Sequence, residues 1–312
     1  MIDDCDYFVT ACFGYAVFPE DADAVGNLVS NADAAMHETK RAAGTNHVLR
    51  FTSDLLKTEQ TLAIERKLRY ALDNDGVFFY LQPQFDTDHK LRGFEALARV
   101  KDVEGTTISP SDFIPVAEKI GIIDRIDNHV FMGAAKCVSD LIRKSGKDLV
   151  LCVNVSVKHL MKNNFIEELT ELLKKSGLSA NNLEIEITES IMLDSGEKSL
   201  EILNAVRNLG IRIAIDDFGT GYSSLSYLNK LPADILKIDK SFIDVMNINE
   251  SNKQYVASII SIGHVLNMQV ISEGVESDSQ LNTLKENGCD FIQGYVWGRP
   301  MPPKAAAELV NS

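Results

Sequence analysis

Two periods of apolar residues alternate along most of this chain. Short runs in which apolar and polar positions take turns have the period of a strand, and longer runs with apolar residues three and four apart have that of an amphipathic helix. From residue 58 onward the pattern predicts a helix at 58–74, with Leu62, Ile64, Leu68 and Leu72 on its apolar face. Strands follow at 77–82 and 93–100, then two helices within 111–142 broken near Gly121. Further strands are expected at 148–155, 183–188, 211–215, 235–239, 268–272 and 290–293. The intervening helices are expected at 157–176, 195–209, 223–230, 252–266 and 277–287, with a last short one from Pro303. About eight strands alternating with helices imply an α/β fold closed into a (β/α)8 barrel. The short loop at 86–90 makes the first two strands a candidate hairpin, so one strand is expected to run antiparallel and modify the barrel.

Residues 1–57 differ from the rest, with a strand at 7–17, a helix at 21–41 and a strand at 46–51. Two strands and one helix cannot close a core alone. This segment is therefore a small, incomplete α+β unit, joined by a polar connector at 51–59 to a barrel domain at 58–312.

Composition narrows the class. With 312 residues, the chain has length for about two domains or for one barrel with an extension. A net charge of −14 argues against binding polymeric nucleic acid, which needs clustered Lys and Arg, but does not exclude a small phosphorylated ligand. The five cysteines (Cys5, Cys12, Cys137, Cys152, Cys289) are scattered without a CxxC pair, which reads as reduced thiols. The six histidines form no HxH or HxxxH pair. No run approaches the about 18 apolar residues of a membrane span, and no signal-peptide pattern opens the chain, so a cytoplasmic protein is expected.

The polar residues fall at strand ends. Glu95 lies on the second strand, Asn154 ends the third, Glu186 and Glu189 end the fourth, and Asp216 and Asp217 the fifth. Lys237 and Asp239 follow on the sixth, Glu273 on the seventh and Gln293 on the eighth. In a parallel barrel such ends converge on one face, where active sites form. One strand-end acid is ordinarily a helix cap. Seven consecutive strands carrying such residues point instead to divalent cations, because crowded carboxylates repel and hard cations prefer oxygen. An acid-rich mouth with one lysine suggests a two-metal hydrolase, in which Lys237 either orients a water or forms a buried ion pair with Asp239 or Glu273. A barrel glycosidase with two carboxylates is a competing reading, but it leaves Asn154, Lys237 and the paired aspartates without roles.

The same residues spell motifs. Glu95-Ala96-Leu97-Ala98-Arg99 stands among Gln82-Pro83, Asn154-Val155-Ser156, Glu186-Ile187-Thr188-Glu189-Ser190 and the run from Asp216 to Leu225. Leu236-Lys237-Ile238-Asp239, Glu273-Gly274-Val275-Glu276, Gln293-Gly294-Tyr295 and Arg299-Pro300 complete the set, in order, over residues 58–312. Together they resemble the EAL domains, cyclic di-GMP phosphodiesterases with a modified TIM-type barrel. The resemblance implies hydrolysis of cyclic di-GMP to linear pGpG with two Mg²⁺ or Mn²⁺ ions. It implies metal ligation by Glu95, Asn154, Glu186, Asp216 and Asp217, with Asp216 bridging. Lys237 and Glu273 would activate water, Gln293 would order the waters, and Glu276 would support the site. Gln82, Leu97 and Arg99 would contact substrate. Glu189 would hold the loop at 218–224, which the family associates with a homodimer. Leu81 departs from the aromatic residue frequent before Gln82. No metal or water-activating position is substituted, which favours an enzyme over a silent cyclic di-GMP receptor. The start of the chain, with Phe13-Gly14-Tyr15-Ala16, Pro19 and Ala32-Asp33-Ala34-Ala35-Met36, resembles the C-terminal end of a GGDEF (diguanylate cyclase) domain. The cyclase signature is absent, as is any Gly-Gly pair, so no cyclase site is expected there; any sensor domains would lie upstream.

Overall fold

The computed structural model describes residues 11–41, 48–188, 191–219 and 228–311. It divides into two compact units, with the division between Arg69 and Tyr70. In the first, strand β1 (Phe13–Tyr15) pairs in parallel with β2 (Val48–Arg50), and helix α1 (Val25–Arg41) lies between them in sequence. Helix α2 (Ser53–Asp73) runs from the first unit into the second. The stretch expected as a polar connector is thus helical from Ser53, and no Gly or Pro interrupts it before Asp73.

In the second unit, β3 (Val77–Asp86) and β4 (Leu91–Lys101) form the expected hairpin, each longer than the sequence pattern predicted. A two-residue strand β5 (Thr107–Ile108), helices α3 (Pro110–Lys119) and α4 (Ile123–Ser145), and β6 (Val150–Asn154) follow. Helices α5 (Val157–Leu160) and α6 (Phe165–Ser176) replace the single helix expected there, because polar Asn163-Asn164 favours a cap over a continued helix. Next come β7 (Leu183–Thr188), α7 (Ile191–Asn208), β8 (Arg212–Phe218) and β9 (Ile235–Ile238). The helix expected at 223–230 lies largely outside the described residues. Helices α8 (Lys240–Val245) and α9 (Glu250–Val265), β10 (Gln269–Ser272), α10 (Asp278–Glu286), β11 (Phe291–Gln293) and α11 (Pro303–Asn311) complete the chain.

The sheet order β3-β11-β10-β9-β8-β7-β6-β4 closes through pairing of β3 with β4, so eight strands form a barrel, with β5 hung on the edge of β4. Of the eight barrel strands, β3 alone runs antiparallel to both its neighbours, and the appended β5 is antiparallel to β4. Alternation along each strand sorts side chains. On β9, Leu236 and Ile238 face outward into a core with Val256, Ile259 and Ile260 of α9, while Ile235 faces inward with Ala214 and Ile271. Lys237 therefore points inward too.

Two strands break the alternation. Opposite β3, Gly93 pairs with Gln84 and Leu91 with Phe85, so Arg92 is an extra, bulged residue on β4. Beside the bulge, β4 lies so close to β6 that a Cβ on Gly93 would be 2.0 Å from the Val150 carbonyl oxygen. On β8 the register to β9 shifts between Ile215 and Phe218, at Asp216 and Asp217. Gly93→Ala is expected to destabilise the barrel by about 2–3 kcal/mol, through overpacking against backbone that cannot yield. A denaturant midpoint unchanged from wild type would refute this.

Candidate active site

The upper inward layer of the barrel gathers Glu95 from β4, Asn154 from β6, Glu186 from β7, Asp216 from β8, Lys237 from β9, Glu273 after β10 and Gln293 from β11. At its centre the fully buried Lys237 ammonium lies 2.6 Å from Glu273, 2.9 Å from Glu186, 3.2 Å from Asp216 and 3.7 Å from Glu95. Opposite charges at these distances in a buried site attract strongly, so its hold on the four acids is chiefly Coulombic. Asp239, the other ion-pair partner considered for Lys237, instead caps α8 through the Ser241 amide. Burial would discharge Lys237, but Asp216, Glu186, Glu273 and Glu95 reverse this and raise its pKa well above the ordinary value.

The acids divide by environment. Burial alone would raise Glu95, yet Lys237 and the amide donors of Gln293 (2.5 Å) and Asn154 (2.6 Å) hold it below the usual range. Glu186 is pushed well up by burial and by Glu95, and Glu273 up to about 8, chiefly by burial. Asp217 rises to about 6 through burial and the neighbouring Asp216 and Asp239. Adjacent strand residues normally point to opposite faces. Asp216 and Asp217 nonetheless line the same cleft, because Asp217 takes a left-handed backbone (φ +54°) at the register shift.

The oxygen-rich donor set suits a hard divalent cation. Both Glu186 oxygens are buried, and Lys237, 2.9 Å away, is shared with three other acids, so the cluster holds more carboxylates than its one ammonium can neutralise. The described residues thus include a buried acidic cluster that could hold a metal ion. Cys152, Glu184 and Glu186 also bring ligand atoms within 4.8 Å of one another, but Glu184 is already paired with Arg92 at 2.5 Å.

A cleft of about 410 Å³ opens beside the cluster, within the range of small-ligand sites. Leu97 and Arg99 line it; Arg99 also lies over the Tyr80 ring, 5.3 Å from the centroid. Gln82 sits opposite Glu95 in the hairpin, so its side chain shares that face. Glu276 stands apart at the surface, 2.8 Å from Lys240, whose stem lies across Gly274, the residue after Glu273. Glu189 and most of the loop at 218–224 lie outside the described residues.

The sequence reading missed several participants. Asp127 of α4 lines the cleft and is 3.1 Å from Nδ1 of the buried His159, whose Nε2 is 3.0 Å from Glu168. A lower inward layer of Gln84, Arg92, Cys152 and Glu184 lies beneath the acids. The Glu184–Glu186 spacing put both acids on one face, but nothing in the sequence paired Glu184 with a bulged arginine.

The comparisons agree with this geometry. The family model described as EAL domain matches residues 65–300. Cyclic di-GMP phosphodiesterase NbdA of Pseudomonas aeruginosa is 35% identical over 306 residues, which are 97% of this chain and 39% of that protein. Cyclic di-GMP phosphodiesterase PdeR of Escherichia coli is 31% identical over 301 residues, 96% of this chain and 45% of that protein. Among solved structures, the PaMucR phosphodiesterase in complex with c-di-GMP matches with a TM-score of 0.75 and 33% identity, over 78% of this chain and 99% of that one. The chain spans about two-fifths of the length of these curated relatives. Among the described residues, no helix is long and apolar enough to cross a membrane.

His159 also sets a pH dependence. Burial lowers its pKa, but hydrogen bonds to Asp127 and Glu168 more than offset this and leave it raised above 6.5. A raised folded-state pKa gives stability that is complete below the unfolded value and lost as pH rises through the folded one. The stability difference between wild type and His159→Gln should therefore be largest below pH 6.5 and shrink as the pH rises above it, read from denaturant midpoints. A difference that grows with pH would contradict the charged pairing.

Proposed function

Because the chain belongs to the EAL-domain family, we propose that it hydrolyses cyclic di-GMP to linear pGpG in a metal-dependent reaction at the acidic mouth of its barrel. One observation carries this reading: four carboxylates gathered around the single buried Lys237, more acid than one ammonium neutralises, beside a cleft lined by Leu97 and Arg99. Glu95, Asn154, Glu186 and Asp216 would hold one Mg²⁺ or Mn²⁺, and Asp216 with Asp217 a second. Ions so held neutralise charge on the phosphate and make water a better nucleophile.

The chain's own residues do the rest. Water attacks one phosphorus, the P–O3′ bond breaks, and a proton reaches the leaving 3′ oxygen, which leaves a 5′-phosphate on the linear product. Glu273, 2.6 Å from Lys237, is placed to accept a proton from the attacking water at its carboxylate, whose affinity for a proton burial raises. Lys237 holds the attacking water and offsets charge growing on the phosphate. Gln293 keeps Glu95 oriented through its amide, 2.5 Å away, and so orders the waters about the ions. Gln82, Leu97 and Arg99 form the dinucleotide contacts. Glu276 supports the turn after Glu273 through Lys240. Glu189 steadies the loop at 218–224, through which a homodimer couples to activity. The first 57 residues represent the end of a GGDEF-type domain without a cyclase site, and 58–312 the phosphodiesterase barrel.

Purified protein supplied with Mg²⁺ or Mn²⁺ should convert cyclic di-GMP to pGpG, and a chelator should stop it. Binding without turnover, with either metal present, would make the protein a receptor instead. Glu95→Ala should lower turnover at least about 100-fold, as expected for loss of a metal ligand. Near-normal rates would remove Glu95 from the metal set. Glu189→Ala should lose activity while keeping Mn²⁺ affinity, and a wild-type rate would end its loop-supporting role.

A further inference from the structure

Beneath the acidic layer, a chain of buried polar groups runs from the bulged Arg92 up to Glu95. Arg92 Nη2 donates to Glu184 at 2.5 Å, and Nη1 donates to Gln84 Oε1, also at 2.5 Å. Gln84 Nε2 donates to Gln293 Oε1 at 2.8 Å, and Gln293 Nε2 donates to Glu95 Oε2 at 2.5 Å. All five residues are buried. Gln84 and Gln293 are directly opposed on β3 and β11, so their amides share one face.

The direction of this chain is not arbitrary. A primary amide can turn end for end, offering oxygen or nitrogen at either side. Guanidinium has only donors, so Arg92 requires the oxygen of Gln84 on its side. The Gln84 nitrogen then faces Gln293, which must answer with its oxygen, and the Gln293 nitrogen is left for Glu95. A carboxylate accepts that donor and would be repelled by the amide oxygen. Both ends of the chain therefore demand the same orientation, one through a cation and the other through an anion.

We infer that Arg92 and Gln84 are positioning residues for the reaction. They lock the Gln293 amide in the orientation that donates to Glu95 and so fix that carboxylate for metal binding. The inference rests on the reading of Glu95 as a metal ligand. Without the lower pair, Gln293 presents oxygen to Glu95 for part of the time, and the carboxylate loses one of its two amide donors; Asn154 supplies the other. Outer hydrogen-bond partners of this kind change metal affinity about 10–100-fold.

Gln84→Glu tests this with little change of volume. A carboxylate still pairs with Arg92 but cannot donate to Gln293, so the Gln293 amide turns and its oxygen meets Glu95. Gln84→Met removes the donor without adding charge and serves where Gln84→Glu does not give a cooperative melt. Free Mn²⁺ is followed by electron paramagnetic resonance as it is titrated into metal-free protein, and melting temperature and steady-state kinetics are measured alongside. Mn²⁺ affinity is expected to fall at least about tenfold, and kcat to fall with KM within about twofold, in a variant that melts within a few degrees of wild type. Mn²⁺ affinity within twofold of wild type in the folded variant would overturn the positioning role. Wild-type protein that binds Mn²⁺ but leaves cyclic di-GMP intact would defeat the proposed activity, with the affinity comparison still deciding the role of Gln84. Wild-type protein that binds no Mn²⁺ would defeat both.

Discussion

A single buried ammonium holds the upper barrel together. Lys237 is buried and sits within 3.7 Å of four carboxylates, three on strands β4, β7 and β8 and one just after β10. A lone charge in such a place would be costly, and four unpaired acids would force the mouth apart. Each makes the other tolerable. Burial first, and the neighbouring acids after it, push Glu186 and Glu273 above the ordinary carboxylate range. A site so arranged holds its acids close together around one ammonium, a cluster that could receive a metal ion.

Two departures from strand regularity build this arrangement. The bulge on β4 turns Arg92 inward and forms the lower polar layer, and Gly93 lets that strand lie against β6. The left-handed Asp217 brings two adjacent acids to one cleft that alternation would have separated. Irregularities of this kind weaken the local hydrogen-bond ladder and persist because the surrounding structure determines them. Here both lie at strands that carry proposed metal ligands.

The site was legible in unequal parts. Glu95, Asn154, Glu186, Asp216, Lys237, Glu273 and Gln293 were visible because each sits on or near the end of a strand whose period could be read directly. Glu276 followed the same motif but turned to Lys240, since the turn at Gly274 carries the chain back towards the surface. Asp127 and His159 were invisible because they lie on helices with ordinary amphipathic spacing, where an acid or a histidine reads as surface. Their burial follows from the packing of α4 against α5 and α6, which brings Asp127 to His159 across 32 positions of sequence. Arg92 was hidden for a different reason, because a bulge shifts the face by one residue and local alternation does not reveal it.

The amino-acid pattern by itself determined the number of strands, their alternation with helices, the antiparallel hairpin and the strand ends at which charge collects. These follow from local periodicity, and local sequence carries period directly. Only the tertiary structure decided which acids surround Lys237, which amides donate to Glu95, and which glutamine oxygen faces an arginine. Those outcomes depend on closing β3 against both β4 and β11, which brings residues about 200 positions apart into hydrogen-bond contact. No local window of sequence contains both partners of such a bond.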